Sequence, residues 1–206
     1  VTEMAFNGWT RQQYVGRTVT TLMNIPKPTI AAVNGPATGL GADLAISCDF
    51  VMASSGAVFA WSYILREIIP DGGGMYFLPR RIGLSKAKEL IFTGRKVDAQ
   101  EALAMGIIDR ISDPDELVSQ SIAWAKELSR GSEVALALTK NIMNRSFETP
   151  AEQIFNMGSQ AQGICYTTAE HHASVESYLF EVNKASSPTF SEIICSIVLD
   201  SGNSPS

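Results

Sequence analysis

The chain has little of the chemistry that most often announces a function. Its three cysteines, Cys48, Cys165 and Cys195, are odd in number and far apart, with no CxxC or Cys/His ligand spacing. That argues against a structural zinc or any other metal and against a disulfide framework. It points to a reducing compartment and so to a cytoplasmic location. The only histidines, His171 and His172, are adjacent and late in the chain. A Ser–His or Cys–His nucleophile in the glycine-rich first half therefore has no base at hand. No basic tract stands out, and 16 Lys plus Arg against 21 Asp plus Glu leave a net charge of −5, which argues against nucleic acid as a partner. No apolar run approaches the length of a membrane span. The opening VTEMAFNGWT lacks the basic segment and apolar block of a signal peptide.

What is present is enough apolar material for a sizeable core: 45% hydrophobic against 18% charged residues, a folded-domain composition. Residues 10–24 place Tyr14, Val15, Val19, Leu22 and Met23 on one helical stripe, and Pro26 and Pro28 end it. TIAAVN (29–34) has the apolar, β-branched character of a strand buried on both faces. FVMAS (50–54), AVFAW (57–61) and IIDRI (107–111) are further strand candidates. Helices are expected over 41–49, as a short helix that follows a Gly-rich turn within 70–83 and is limited by Pro79, over 85–94 with Ser85 as cap and Gly94 as stop, and after Asp98 as cap with Glu101 at the third helical position. From Asp113, with Pro114 at a first helical position, the pattern is helical throughout. The organisation expected is an α/β portion (1–112), a helical portion (113–187) and an irregular tail (188–206).

Two glycine-rich corners carry the chemistry. NGPATGLGAD (34–43) leads from a strand into a helix, and Gly39-x-Gly41 lacks the third glycine of a dinucleotide fingerprint because Leu44 stands there. Nor does a Gly-Lys-Ser/Thr follow, so it is no P-loop. It is either a tight turn or a place where free helix-start N–H groups hold an anion or a developing oxyanion. IIPDGGG (68–74) is either a Pro-Asp-Gly turn or a carboxylate, Asp71, beside glycines that let a ligand approach the backbone. Together they suit proton abstraction next to a carbonyl: N–H donors for the enolate and a base for the carbon.

In order along the chain stand P-x-I-A-A-V-N-G, G-x-G, C-D, P-x-G-G, L-x-x-T-G-x-x-x-x-A-x-E-A and G-x-x-x-x-I. In that order they resemble the enoyl-CoA hydratase/isomerase (crotonase) superfamily, from about Thr2 to about Ser187. The resemblance implies an α/β fold, a spiral core of ββα units followed by a C-terminal helical region, in trimers or hexamers. It implies an acyl-CoA thioester as substrate and no cofactor. The thioester oxygen would meet the Leu40 N–H, with Pro36, Gly39, Gly41, Trp61, Tyr63, Gly72 and Gly73 around the substrate. Of the two glutamates that typical hydratases carry, the first aligns with Asp43, and the second with Tyr63, which is no acid. Asp71 falls where isomerase-like members carry a single working acid. The expectation is therefore an isomerase-like enzyme using Asp71, assisted by Asp43. A hydratase using Asp43 and Asp71, or a non-catalytic acyl-CoA-binding subunit, are the alternatives. In the resemblance the first oxyanion N–H comes from a loop just upstream of Glu3-Met4, so the chain is expected to lack its N-terminal strands.

Overall fold

The structure, a computed structural model, describes residues 3–185; the irregular tail expected at 188–206 and Cys195 lie outside the described residues. The chain divides into two compact units, Val1–Ile154 and Phe155–Ser206.

The first unit opens with α1 (Glu3–Met23). This helix is longer than the expected 10–24, and of its anticipated stripe only Val19 is buried, while Tyr14 is exposed. Strands β1 (Ile30–Val33), β3 (Phe50–Ser54) and β6 (Arg110–Ser112) form one parallel sheet in the order β1-β3-β6. The centre of that sheet is β3, and its residues 51–54 are all buried. The strand expected to be buried on both faces, β1, is an edge strand among the described residues and exposes Ala32. A second sheet holds β2 (Pro36–Thr38), β4 (Val58–Ala60) and β5 (Lys96–Asp98), with β2 parallel and β5 antiparallel to β4. Ala37, Phe59 and Val97 stand in one register row of that sheet, all buried. They join Ile46, Val51, Trp61, Leu78, Leu90, Ile107 and Ile108 in the main core.

Helix α2 (Leu40–Ser47) crosses from β2 to β3. It carries almost no polar side chain, as a helix surrounded by protein should, and buries Ala42, Asp43, Ala45, Ile46 and Ser47. A 3-10 helix (Ser62–Arg66) follows β4 and precedes α3 (Gly74–Ile82). Pro79 does not limit α3 but sits inside it, and the helix runs on to Ile82. Helix α4 (Leu84–Thr93) starts from Gly83 rather than Ser85, and ends at Gly94 as expected, in the left-handed conformation. The cap before α5 (Ala99–Met105) is as expected: the Asp98 carboxylate accepts the Glu101 N–H at 2.8 Å.

The last strand lies later than expected, at Arg110–Ser112, because Ile107 and Ile108 bond back to the Ala102 carbonyl within α5. Helix α6 (Leu117–Leu128) likewise begins after a turn closed by the Glu116 N–H on the Asp113 carbonyl, so neither Asp113 nor Pro114 caps it. Its Leu117 and Trp124 pack with Met52 in a second small core. Helix α7 (Glu133–Met143) is clipped to the sheet by Lys140, which reaches Asp49 at 2.6 Å and the Lys27 carbonyl at 2.9 Å. Asp49 in turn accepts from the Thr29 N–H and hydroxyl, so the Cys48-Asp49 pair serves the fold.

Helix α8 (Ala151–Cys165) begins at the end of the first unit. The second unit holds the rest of it and α9 (Ala169–Ala185), whose start is capped by Thr168 accepting the His171 N–H at 3.2 Å. The Tyr166 and His171 rings meet at a tilt of 57° with centroids 5.1 Å apart.

Candidate active site

The stretch 34–43 is not one turn. Pro36–Thr38 is a short strand paired with Val58–Ala60, and the corner proper is Gly39 alone. Its N–H bonds the Ala60 carbonyl at 2.9 Å, and its carbonyl accepts from Asp43 at 3.1 Å. With φ 55° and ψ −124°, Gly39 holds a conformation open essentially to glycine. That geometry puts the Leu40 N–H at the first position of α2, where helix geometry supplies no acceptor. Leu40 itself is 40% exposed. At Gly41, by contrast, an added methyl would meet nothing within 4 Å. Pro36 lies on β2, opposite Val58, rather than in the corner.

Three residues into α2, Asp43 is completely buried. Its two oxygens are each taken by one aromatic donor. Trp61 Nε1 donates to Oδ1 at 2.9 Å, and the Tyr63 hydroxyl donates to Oδ2 at 2.6 Å. Trp61 continues the inward face of β4 two residues past Phe59 and is itself fully buried. The chain then turns into the 3-10 helix, which brings the half-buried Tyr63 back onto the same carboxylate. Sequence reasoning placed both aromatics beside the substrate and missed that they bond Asp43. No local pattern signals a contact across 18 and 20 residues.

The three glycines after Asp71 have a structural reason. A Cβ at Gly72 would lie 2.7 Å from Asp43 Oδ2 and 2.5 Å from Leu40 Cδ1. One at Gly74 would lie 2.4 Å from Asp43 Oδ1. Gly73 combines φ 110° with the Phe77 ring 2.9 Å from its Cβ position. The space expected for a ligand beside this backbone is thus filled, at 72 and 74, by the Asp43 side chain. Asp71, just before them, is exposed, and its N–H bonds the Ile69 carbonyl at 3.0 Å.

Burial pushes the Asp43 carboxyl above the usual aspartate value; the hydrogen bonds from Tyr63 and Trp61 pull the other way, and the Asp71 charge adds to the rise. Burial and the same two carboxylates push the Tyr63 phenol upward too. Asp43 and Tyr63 thus both feel the charge of Asp71, which ties that exposed acid to the cluster.

A carboxyl whose native proton affinity exceeds its unfolded one binds more protons folded than unfolded between the two values. Its contribution to stability therefore falls as pH rises from about 3.9, the ordinary value, through the raised native one. The stability of the native protein relative to Asp43→Asn is accordingly expected to be most favourable near that lower value and to shrink toward neutral pH. Urea titrations of both proteins across that range measure it, and a difference that grows with pH would contradict the sign.

Chemically, the cluster offers one free N–H at a helix start, a buried carboxyl held by two donors, a phenol and an exposed carboxylate. The donor set has no group of three or more His, Cys, Asp or Glu suited to a metal among the described residues.

Comparison with known proteins bears on this arrangement. The enoyl-CoA hydratase/isomerase family matches residues 2–186. "Probable enoyl-CoA hydratase EchA17" of Mycobacterium tuberculosis (strain H37Rv) is 44% identical over 131 residues, 63% of this chain and 50% of that protein. The "Short-chain-enoyl-CoA hydratase" of Clostridium acetobutylicum is 34% identical over 155 residues, 75% of this chain and 59% of that protein. The crystal structure of an enoyl-CoA hydratase/isomerase from Cupriavidus metallidurans CH34 superposes with a TM-score of 0.81 at 34% identity, covering 85% of this chain and 66% of that one. The chain spans about half the length of the curated relatives it matches. The fold is the mixed α/β crotonase fold with parallel sheets and C-terminal helices, and the chain belongs to the enoyl-CoA hydratase/isomerase family.

Proposed function

We propose that the protein processes an acyl-CoA thioester by proton transfer next to the carbonyl, as an enoyl-CoA isomerase. The thioester oxygen meets the Leu40 N–H, where the start of α2 favours the negative charge of an enolate. Asp71, exposed beside the cluster, removes the proton from C2, and Asp43 assists from its buried position. One observation carries this preference: the direct 2.6 Å hydrogen bond between Tyr63 and Asp43. The resemblance aligns these two positions with the paired acids of typical hydratases. Atoms that close leave no place for a water molecule between them, which favours moving a proton over adding water. The family's trimeric or hexameric assembly belongs to the same proposal and is checked by sedimentation.

Hydration is the alternative, with Asp43 and Asp71 as the two acids. It draws on the names of the relatives, several of which are called hydratases. The two reactions are separated by incubating the full-length protein with 3-enoyl-CoA and 2-enoyl-CoA and identifying 2-enoyl-CoA or 3-hydroxyacyl-CoA as product. Asp71→Asn is expected to lower isomerisation by about 10²-fold or more, the usual contribution of a general acid–base. Full isomerase activity in that variant would remove Asp71 from the mechanism. Binding of acyl-CoA with no turnover of either substrate would leave a non-catalytic acyl-CoA-binding protein.

A further inference from the structure

Asp43 stands three residues from the free N–H, but its side chain is closed off from the surface. It is fully buried, Trp61 and Tyr63 occupy its oxygens, and Gly72 and Gly74 close on what remains. Of its two donors, Trp61 is buried and Tyr63 is the one that reaches the surface. That phenol is half-buried, and its ring edge and hydroxyl lie 3.8 to 4.0 Å from the Cβ position of Gly39, the residue immediately before Leu40. A phenol that donates one hydrogen bond still has lone pairs free to exchange a proton with something else.

We propose that Tyr63 is a second catalytic residue, separate from Asp71, delivering a proton to the acyl chain, and that Asp43 is the positioning residue and proton store behind it. The inference rests on the acyl-CoA reading above and divides the work that a single acid would otherwise do. In the forward step Asp71 takes the proton from C2. The C–H electron pair enters a dienolate, with its charge on the thioester oxygen at the Leu40 N–H. The Tyr63 O–H bond then breaks as a C4–H bond forms, the dienolate electrons supplying that bond. The Asp43 proton moves to the phenol oxygen and leaves a carboxylate. Asp71 gives up its proton to water, and water reloads Asp43 through the Tyr63 hydroxyl. No oxidant, reductant or metal is needed. The burial that holds the Asp43 proton above the ordinary carboxyl range suits it to that store.

The label test needs no variant. The full-length protein converts 3-enoyl-CoA deuterated at C2, and mass spectrometry asks whether deuterium reaches C4. Two separate groups predict loss of the label to solvent and ordinary hydrogen at C4. Tyr63→Phe, which keeps the ring, is expected to lose about 10²-fold in kcat with acyl-CoA affinity unchanged. Deuterium carried from C2 to C4, or a Tyr63→Phe variant as fast as the native protein, overturns the relay and leaves the isomerase reading standing. No conversion of any enoyl-CoA by the native protein overturns that reading, and the relay with it.

Discussion

Gly74→Ala is expected to cost the protein about 3 kcal/mol of stability or more, which would make it among the most damaging single substitutions in the chain. The new methyl carbon would stand 2.4 Å from Asp43 Oδ1, 2.9 Å from Trp61 Cδ1 and 3.0 Å from its Nε1. Neither neighbour can retreat, because both are fully enclosed. Overpacking of a core alone costs about 1–3 kcal/mol. Here the methyl group also pries apart a buried hydrogen bond to a carboxylate, of the kind that contributes about 1.5–3 kcal/mol. Denaturant unfolding measures the loss. Gly41→Ala is the matched control: the same change, but in a helix with nothing within 4 Å of the new carbon. It is expected to be neutral or slightly stabilising, since alanine favours a helix over glycine by about 1 kcal/mol. Equal losses in the two variants would show that helix-start glycines matter here for backbone freedom and not for the packing of Asp43.

Position 74 also shows where the sequence is mute. Rules that act over three or four residues are legible in it. The Asp98 cap with its Glu101 N–H, the Gly94 stop and the apolar run of β3 could all be read from neighbours along the chain. Two of the three-residue strands, β2 and β5, were not. Pro36–Thr38 hides in a glycine-rich stretch, and Lys96–Asp98 has too few residues to show alternation. Both exist because β4 offers them partners, which is a fact of register and not of composition. The order of the family motifs supplied the fold that periodicity alone could not.

The site divides in the same way. Gly39, Leu40, Asp43 and Asp71 were legible as candidates because each sits in a short motif. What Asp43 does with its oxygens was not, because Trp61 and Tyr63 reach it from another strand and its 3-10 continuation. The Gly72–Gly74 run was open to two readings for one reason. Glycine leaves space, and a sequence does not say whether a ligand or the protein's own side chain fills it. Here the occupant at 72 and 74 is a carboxylate that the same sequence places about 30 residues earlier.

Gly39→Ala is expected to lower kcat/KM for an acyl-CoA substrate by about 10²–10³-fold, the usual cost of losing one oxyanion donor. Space is not the cause. A methyl group on Gly39 would clear the nearest atom, Tyr63 Cζ, by 3.8 Å, ordinary van der Waals contact. The backbone is the cause: φ 55° with ψ −124° is closed to alanine, and holding it there costs about 1–3 kcal/mol. Relaxing costs function instead, because ψ of Gly39 sets the plane of the peptide that carries the Leu40 N–H. Rotating that plane turns the donor away from the thioester oxygen, and it also turns the Gly39 carbonyl that accepts the Asp43 N–H at 3.1 Å. The expected signature is therefore a well-folded variant, slightly less stable, that binds acyl-CoA and turns it over slowly. Steady-state kinetics alongside circular dichroism and thermal unfolding will read it. Native turnover in a folded Gly39→Ala protein would mean that the Leu40 N–H is not the group that holds the enolate.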